Sequence, residues 1–193
     1  MPTGSTSRDE ESVLLFLYLS PGYTGRKTLS RELGIGEGRV RGILRRLAAR
    51  GLLETVRSGS RLTVEGRRRV EALLAGYGGR AAAVLDCGEA EPGALCAALH
   101  CRGPDVWGRA LELRDCAVRG GAAGALIIVA GADGLILPPG GERVSDYLPR
   151  LEGDLWERFE IIGGDSILAP FSGSLGPAVR GLVSMLGCLV GPP

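Results

Sequence analysis

Lysine is all but missing from this chain: Lys27 stands alone among 23 basic residues, and the other 22 are arginine. A GC-rich genome would produce that bias unaided, so it carries no functional weight by itself. Histidine is as scarce, and a lone His100 excludes a metal centre built from several imidazoles. Long apolar runs are missing too. The longest weakly polar stretch, residues 120–132, stops at Asp133, short of the roughly 20 residues that a membrane-spanning helix requires. The opening MPTGSTSRDEES has no apolar core of the secretory kind, so a cytoplasmic location is expected. There is no Walker loop, and the Gly-x-Gly of Gly34 and Gly36 follows a helical pattern, which makes it a turn and not a dinucleotide fingerprint. No catalytic motif is present, so neither an enzyme nor a cofactor is expected.

What the chain does have is a division of charge. Residues 1–80 carry 15 basic against 8 acidic side chains, and residues 81–193 carry 8 against 14, so a net charge of +1 hides halves of +7 and −6. A basic module beside an acidic one suggests that only the first meets a polyanion. In the first half, Ser7 precedes Asp9, Glu10 and Glu11 and reads as the cap of a helix that ends at Ser20-Pro21-Gly22. Thr28 reads as the cap of a short second helix through Leu33, and Gly34-Ile35-Gly36 as the turn to a third, residues 37–50, closed by Gly51. Residues 52–56 and 61–63 read as strands around Arg57-Ser58-Gly59-Ser60, and Thr63 as the cap of a last helix, residues 64–74. Two helices, a turn, a helix, a hairpin and a helix make the winged helix-turn-helix order.

On the third helix Val40, Ile43, Leu44 and Leu47 form one apolar stripe. The opposite face holds Gly38, Gly42 and Ala49 between Arg41 and Arg45 on one side and Arg39 and Arg46 on the other. Glycine inside a helix costs about 1 kcal/mol relative to alanine, so Gly42 calls for a compensation such as close approach of another backbone, or packing against the protein itself. Small residues ringed by arginine suit a helix pressed on a phosphate backbone. Arg57 and Arg61 beside the hairpin turn extend that surface. Arg39, Arg41, Gly42, Arg45, Arg46, Arg57 and Arg61 are therefore the expected contacts to double-stranded DNA, weighed against a merely solvated arginine face.

In the second half, residues 81–87 read as a strand, 94–99 and 110–120 as helices, and 125–130 with 135–137 as a hairpin. Residues 159–162 read as a strand before a glycine turn at 163–166, and residues 176–189 as a helix with Pro177 in its first turn. Arg114 and Asp115 fall between two apolar sides of their helix and are expected to be partly buried, paired with other charges or with a small anionic effector. The turn containing Gly164 and Asp165 has the chemistry to hold a carboxylate or phosphate. Arg114, Asp115, Gly164 and Asp165 are thus the candidate effector residues. The five cysteines are expected to be mainly buried thiols, with a disulfide as the alternative; Cys96, His100, Cys101 and Cys116 match no familiar zinc spacing, and no metal is expected.

The run Leu33-Gly34-Ile35-Gly36-Glu37-Gly38-Arg39-Val40-Arg41, continued by Leu44, Leu47 and Gly51-Leu52, resembles archaeal two-domain proteins with an N-terminal winged helix and a C-terminal domain of unknown function. Leu113-Arg114-Asp115-Cys116-Ala117-Val118 with Gly121-Ala122 and Gly124-Ala125 is similar to the second domain of that family. The cysteine-rich stretch from Cys87 to Cys101 departs from it. The resemblance implies a transcriptional regulator. The expected fold is an α+β winged helix-turn-helix domain over residues 1–76, a linker at 77–80, and a small α/β regulatory or dimerisation domain over 81–193. A homodimer is expected, with residues 179–189 as an interface helix or, alternatively, a core helix. The competing functional reading is an enzyme or small-molecule-binding protein that uses its winged helix for protein interaction.

Overall fold

The computed structural model describes residues 7–103 and 106–190. It comprises two compact units that divide between Ala72 and Leu73, slightly ahead of the Gly76-Tyr77-Gly78-Gly79 stretch.

The first unit begins with α1 (Arg8–Leu19), whose cap is Ser7: its hydroxyl accepts the Glu10 N–H at 3.3 Å. Helix α2 (Arg26–Leu33) opens at Gly25, so Thr28 lies inside its first turn and is not the cap. Helix α3 (Glu37–Ala49) buries Val40, Ile43 and Leu47, and the chain leaves it through Gly51, at φ +71°. Strands β1 (Leu53–Val56) and β2 (Gly59–Leu62) pair with Val56 opposite Gly59. The turn is therefore Arg57-Ser58 alone, tighter than the four residues expected. Helix α4 (Val64–Ala75) starts where the Thr63 hydroxyl accepts the Gly66 N–H at 3.0 Å. Leu14, Leu17, Leu29, Leu33, Val40, Ile43, Leu47 and Val70 are buried in this unit.

The second unit runs β3 (Gly79–Asp86), β4 (Leu95–Arg102), α5 (Ala110–Gly120), β5 (Gly124–Gly131), β6 (Gly134–Leu137), β7 (Glu142–Arg143), α6 (Val144–Tyr147), α7 (Pro149–Arg158), β8 (Asp165–Ser172) and α8 (Leu175–Val190). The six strands form one sheet in the order β3-β4-β8-β5-β6-β7, antiparallel at every pairing. The arrangement is α+β and not the expected α/β: β4 and β5 point the same way, but β8 lies between them and runs against both.

Two of the expected elements differ, and α6 and α7 were not expected from the sequence at all. Residues 94–99, read as a helix, lie mostly in β4; Ala, Leu and Cys suit a helix, but pairing with both β3 and β8 buries Cys96 to Cys101 on both faces, and burial overrides propensity. Residues 159–162, read as a strand, form an irregular segment that buries Phe159 and Ile161, and the strand begins later, at Asp165.

One face of the sheet packs on α6 and α7 through Ala83, Leu85, Cys96, Ala98, Ile128, Ile167, Leu151 and Leu155. The other face carries α5 and α8, which approach closely at two glycines. A Cβ on Gly120 would lie 2.7 Å from the Arg180 carbonyl, and one on Gly181 would lie 2.7 Å from the Ala122 Cβ and 3.1 Å from the Pro170 Cβ. Gly181→Ala is therefore expected to lower the stability of this unit by about 1–3 kcal/mol, as overpacking does; a urea melt followed by tryptophan fluorescence measures it, and an unchanged midpoint would contradict this packing. Gly176, Ala178, Val179, Leu182, Met185 and Leu186 are buried, so α8 is a core helix and is not the interface helix that residues 179–189 suggested. Among the described residues no helix is long and apolar enough to cross a membrane.

Candidate nucleic-acid interface

The six arginine candidates of the first unit separate into three groups. Arg39 and Arg46 turn toward the acidic first turn of α1: Arg39 pairs with Asp9 at 2.5 Å, Arg46 lies 3.7 Å from Glu10, and Arg50 reaches Glu10 at 2.8 Å. These charges are partly neutralised within the unit. Arg61 belongs to a cluster on the hairpin, where it pairs with Glu54 and stacks 4.6 Å over the Tyr23 ring while the Tyr23 hydroxyl donates to Glu54 at 2.8 Å. The hydrogen bonds from Tyr23 and then Arg61 hold the Glu54 carboxyl below the usual carboxylate range.

Arg41, Arg45 and Arg57 form the third group. They line a groove of about 420 Å³ between α3 and the β1–β2 hairpin, together with Arg26, Leu44, Ala48, Thr55 and the hairpin turn. Arg41 and Arg45 share this side because positions i and i+4 stack along a helix, and the two-residue turn sets Arg57 across from them. Arg26 is held 3.4 Å from Glu37. Among the described residues Arg41, Arg45 and Arg57 have no ion-pair partner, so their charge is directed to solvent. The composition of the sequence did not single out Arg26, because the register of α2 against the hairpin brings it there.

Gly38 and Gly42 lie on the open surface of α3: a Cβ at Gly38 would meet nothing within 4 Å, and one at Gly42 only the Arg46 guanidinium at 3.6 Å. Intramolecular packing, one of the two compensations considered for Gly42, is therefore not the reason for glycine there.

The four effector candidates are not brought together. Arg114 and Asp115 are both exposed, because α5 buries Ala110, Leu113, Cys116 and Ala117 while Leu111 and Val118, the supposed second apolar side, face solvent. Their expected partial burial is thus corrected. Gly164 forms the turn before β8 at φ +88°. Asp165 is 1% exposed and fully engaged: its carboxylate accepts from His100 Nε2 at 2.7 Å, from Arg102 Nε at 3.2 Å and from the Ile162 N–H at 3.0 Å. Burial alone would raise its pKa, but the bonds from Arg102, the Ile162 N–H and His100 prevail and hold it at about 2. Asp165 lies on the α7 side of the sheet and α5 covers the other side, so Asp165 ties strands and loop together and does not share a pocket with Arg114. His100 and Arg102 were missed as its partners because they meet it only through the antiparallel register of β4 on β8, with Arg102 opposite Asp165.

The cysteines are sorted by burial and partner. Cys87, Cys96 and Cys101 are buried free thiols, and burial, with the Asp165 charge second, pushes Cys101 up to about 12. Cys116 of α5 and Cys188 of α8 form a disulfide, with Glu112 close to both sulfurs.

The comparisons agree with two units. Residues 9–68 match the family described as the PH0730-like N-terminal domain, and residues 95–187 match a domain of unknown function, DUF4443. No curated protein matches the chain. Among solved structures, a hypothetical protein, PH0730, from Pyrococcus horikoshii OT3 aligns over 96% of this chain and 93% of its own with a TM-score of 0.72 at 22% identity. At that identity the likeness is one of fold, and the chain is a two-unit, mixed α and β protein similar in architecture to that archaeal protein.

Proposed function

We propose that the protein is a DNA-binding transcriptional regulator whose first unit is a winged helix-turn-helix, with α3 as the recognition helix and the β1–β2 hairpin as the wing. The observation that carries this reading is the groove between α3 and the hairpin, lined by Arg41, Arg45 and Arg57, which have no ion-pair partner among the described residues, beside a helix surface left open at Gly38 and Gly42. Guanidinium groups on two projections separated by a groove suit a duplex, whose phosphates flank a helix inserted between them. The DNA contacts narrow to Arg41, Arg45 and Arg57 with Arg26 in support; Arg39, Arg46 and Arg61 serve mainly to hold the unit together.

The second unit is read as a scaffold that pairs two copies in the cytoplasm, since one winged helix reads few bases and half-sites are commonly presented by a two-fold dimer. An anionic effector is not part of the proposal, because the residues suggested for it are not assembled. Nor is an enzyme, since the buried His100 and Asp165 are engaged with one another and with the fold.

The test is a duplex-DNA titration of the full-length protein at several salt concentrations. The wild type is expected to lose affinity as salt rises, each phosphate contact contributing about −0.9 to the slope of log K against log salt. Replacing both Arg41 and Arg45 by alanine is expected to weaken binding by about tenfold or more and to flatten that slope, at unchanged thermal stability. Replacing Arg39 is expected to matter much less. Absence of salt-dependent duplex binding by the wild type at low ionic strength would end the proposal.

A further inference from the structure

The Cys116–Cys188 disulfide joins α5 to the last turn of α8 across 72 residues. Its surroundings are unusual for a passive cross-link. The Arg119 guanidinium points at the Cys116 sulfur, with Nη2 2.9 Å from Sγ. A disulfide sulfur is a weak acceptor and gains little from a cation, whereas a thiolate in that position gains a charge-assisted hydrogen bond. The two sulfurs also differ in access: Cys116 is fully buried, and Cys188 is partly exposed near the end of the helix. Among the described residues the carboxylate grouped with both sulfurs is Glu112, and it is held by Arg109 through two bonds of 2.9 Å, so its charge is already matched. Arg109 further donates to the carbonyls of Cys188 at 2.7 Å and Leu189 at 3.4 Å. It therefore fastens the end of α8 to the start of α5 independently of the sulfur bond.

We propose that Cys116–Cys188 is a thiol–disulfide exchange site that reacts with a cellular dithiol, with Cys188 the sulfur attacked and Cys116 the departing thiolate held by Arg119. In the first step a thiolate of the dithiol attacks the accessible Cys188 Sγ; a new S–S bond forms there, the Cys116–Cys188 bond breaks, and its electron pair leaves on Cys116 beside Arg119. In the second step the other thiol of the reagent, deprotonated, attacks the reagent's own sulfur in the mixed disulfide and releases Cys188. Two electrons and one proton pass from the dithiol to the protein, leaving Cys188 a thiol and Cys116 a thiolate beside Arg119; the second proton goes to solvent and the reagent leaves as its disulfide. A leaving thiolate stabilised by a neighbouring cation departs faster and stabilises the reduced form, which makes the disulfide more oxidising. Because Arg109 keeps Cys188 beside Cys116 after the bond opens, re-oxidation is intramolecular and the site is reversible. The other three cysteines are buried free thiols and take no part.

The experiment equilibrates the folded, full-length protein with graded ratios of reduced to oxidised dithiothreitol at fixed pH, then quenches in acid and alkylates in denaturant. Oxidised protein takes up three labels and reduced protein all five, which mass measurement distinguishes. The wild type is expected to reduce and re-oxidise fully without unfolding, as judged by circular dichroism. Arg119→Gln is expected to slow reduction and to raise the reduced-to-oxidised reagent ratio needed for half reduction, each by roughly three- to tenfold. Arg119→Lys, which keeps a cation, is expected to fall between the two. Arg119 is exposed, so neither change threatens the fold. Reduction that occurs only in denaturant would overturn the proposal, as would equal rates and equal midpoints for wild type and Arg119→Gln.

Discussion

Replacing Asp165 by alanine is expected to destabilise the second unit by about 3 kcal/mol or more, since removing one partner of a buried charge network leaves the others unsatisfied. Three donors lose their acceptor at once: His100 Nε2, the Arg102 guanidinium and the Ile162 N–H. His100 is 3% exposed and has no route to water, whereas the half-exposed Arg102 rehydrates, which keeps the effect near the lower end of the range for buried pairs. Asparagine is a poor substitute, because its amide nitrogen would have to face one of these donors. Both tryptophans, Trp107 and Trp156, belong to the second unit, so a fluorescence-detected melt reads its unfolding separately from that of the first. A midpoint unchanged in Asp165→Ala would mean that the network contributes nothing.

The same carboxylate sets a pH dependence. Its folded-state pKa, about 2, lies below its ordinary value of 3.8, so its contribution is fully present above about pH 4 and is lost as pH falls through about 2. A shift of that size corresponds to about 2 kcal/mol. Wild-type stability is thus expected to fall between pH 4 and pH 2 more steeply than that of Asp165→Ala, and the gap between the two curves to narrow by about 2 kcal/mol at the acid end.

Replacing Cys116 and Cys188 together by alanine is expected to lower the stability of the second unit by up to about 4 kcal/mol, the loop-closure entropy that a 72-residue cross-link removes from the unfolded chain. The side chains themselves are not the main loss. Cys116 lies between Leu113 and Ala117 on the buried stripe of α5, where alanine leaves only a small space, and Arg109 still caps the end of α8. The melt should therefore shift to lower denaturant while the near-ultraviolet signal of the native state is kept. If the double variant melted with the wild type in the absence of reductant, the cross-link would contribute no stability.

The first unit was largely legible in the sequence because its signals are local. Ser7, Thr63, Gly34 and Gly51 act on the turn they occupy, and the stripe of Val40, Ile43 and Leu47 needs only the helical period to be seen. Arginine placement was read less well. Arg39 and Arg46 look equivalent to Arg41 and Arg45 on a helical wheel, but the wheel does not show that Asp9 and Glu10 of another helix lie beside the first pair and the hairpin beside the second. In the second unit α5, α8 and the β5–β6 hairpin follow the sequence pattern, whereas β4 and β8, the two inner strands with continuous runs of buried residues, do not. An inner strand buried on both faces has no alternation to read, and short apolar runs of alanine, leucine and cysteine fit helix or strand equally well.

Local chemistry thus determined the ends of α1, α3, α4, α5 and α8, which half is basic, and that α3 presents an arginine-rich surface, because caps, periodicity and charge depend on residues within a turn or two of one another. Tertiary structure alone decided which arginines remain unpaired, that Arg114 and Asp115 face solvent, that Asp165 is locked between His100 and Arg102, and that Cys116 finds Cys188. Each of these depends on a partner brought in by strand register or helix packing from tens of residues away, and no local period or propensity encodes the identity of that partner.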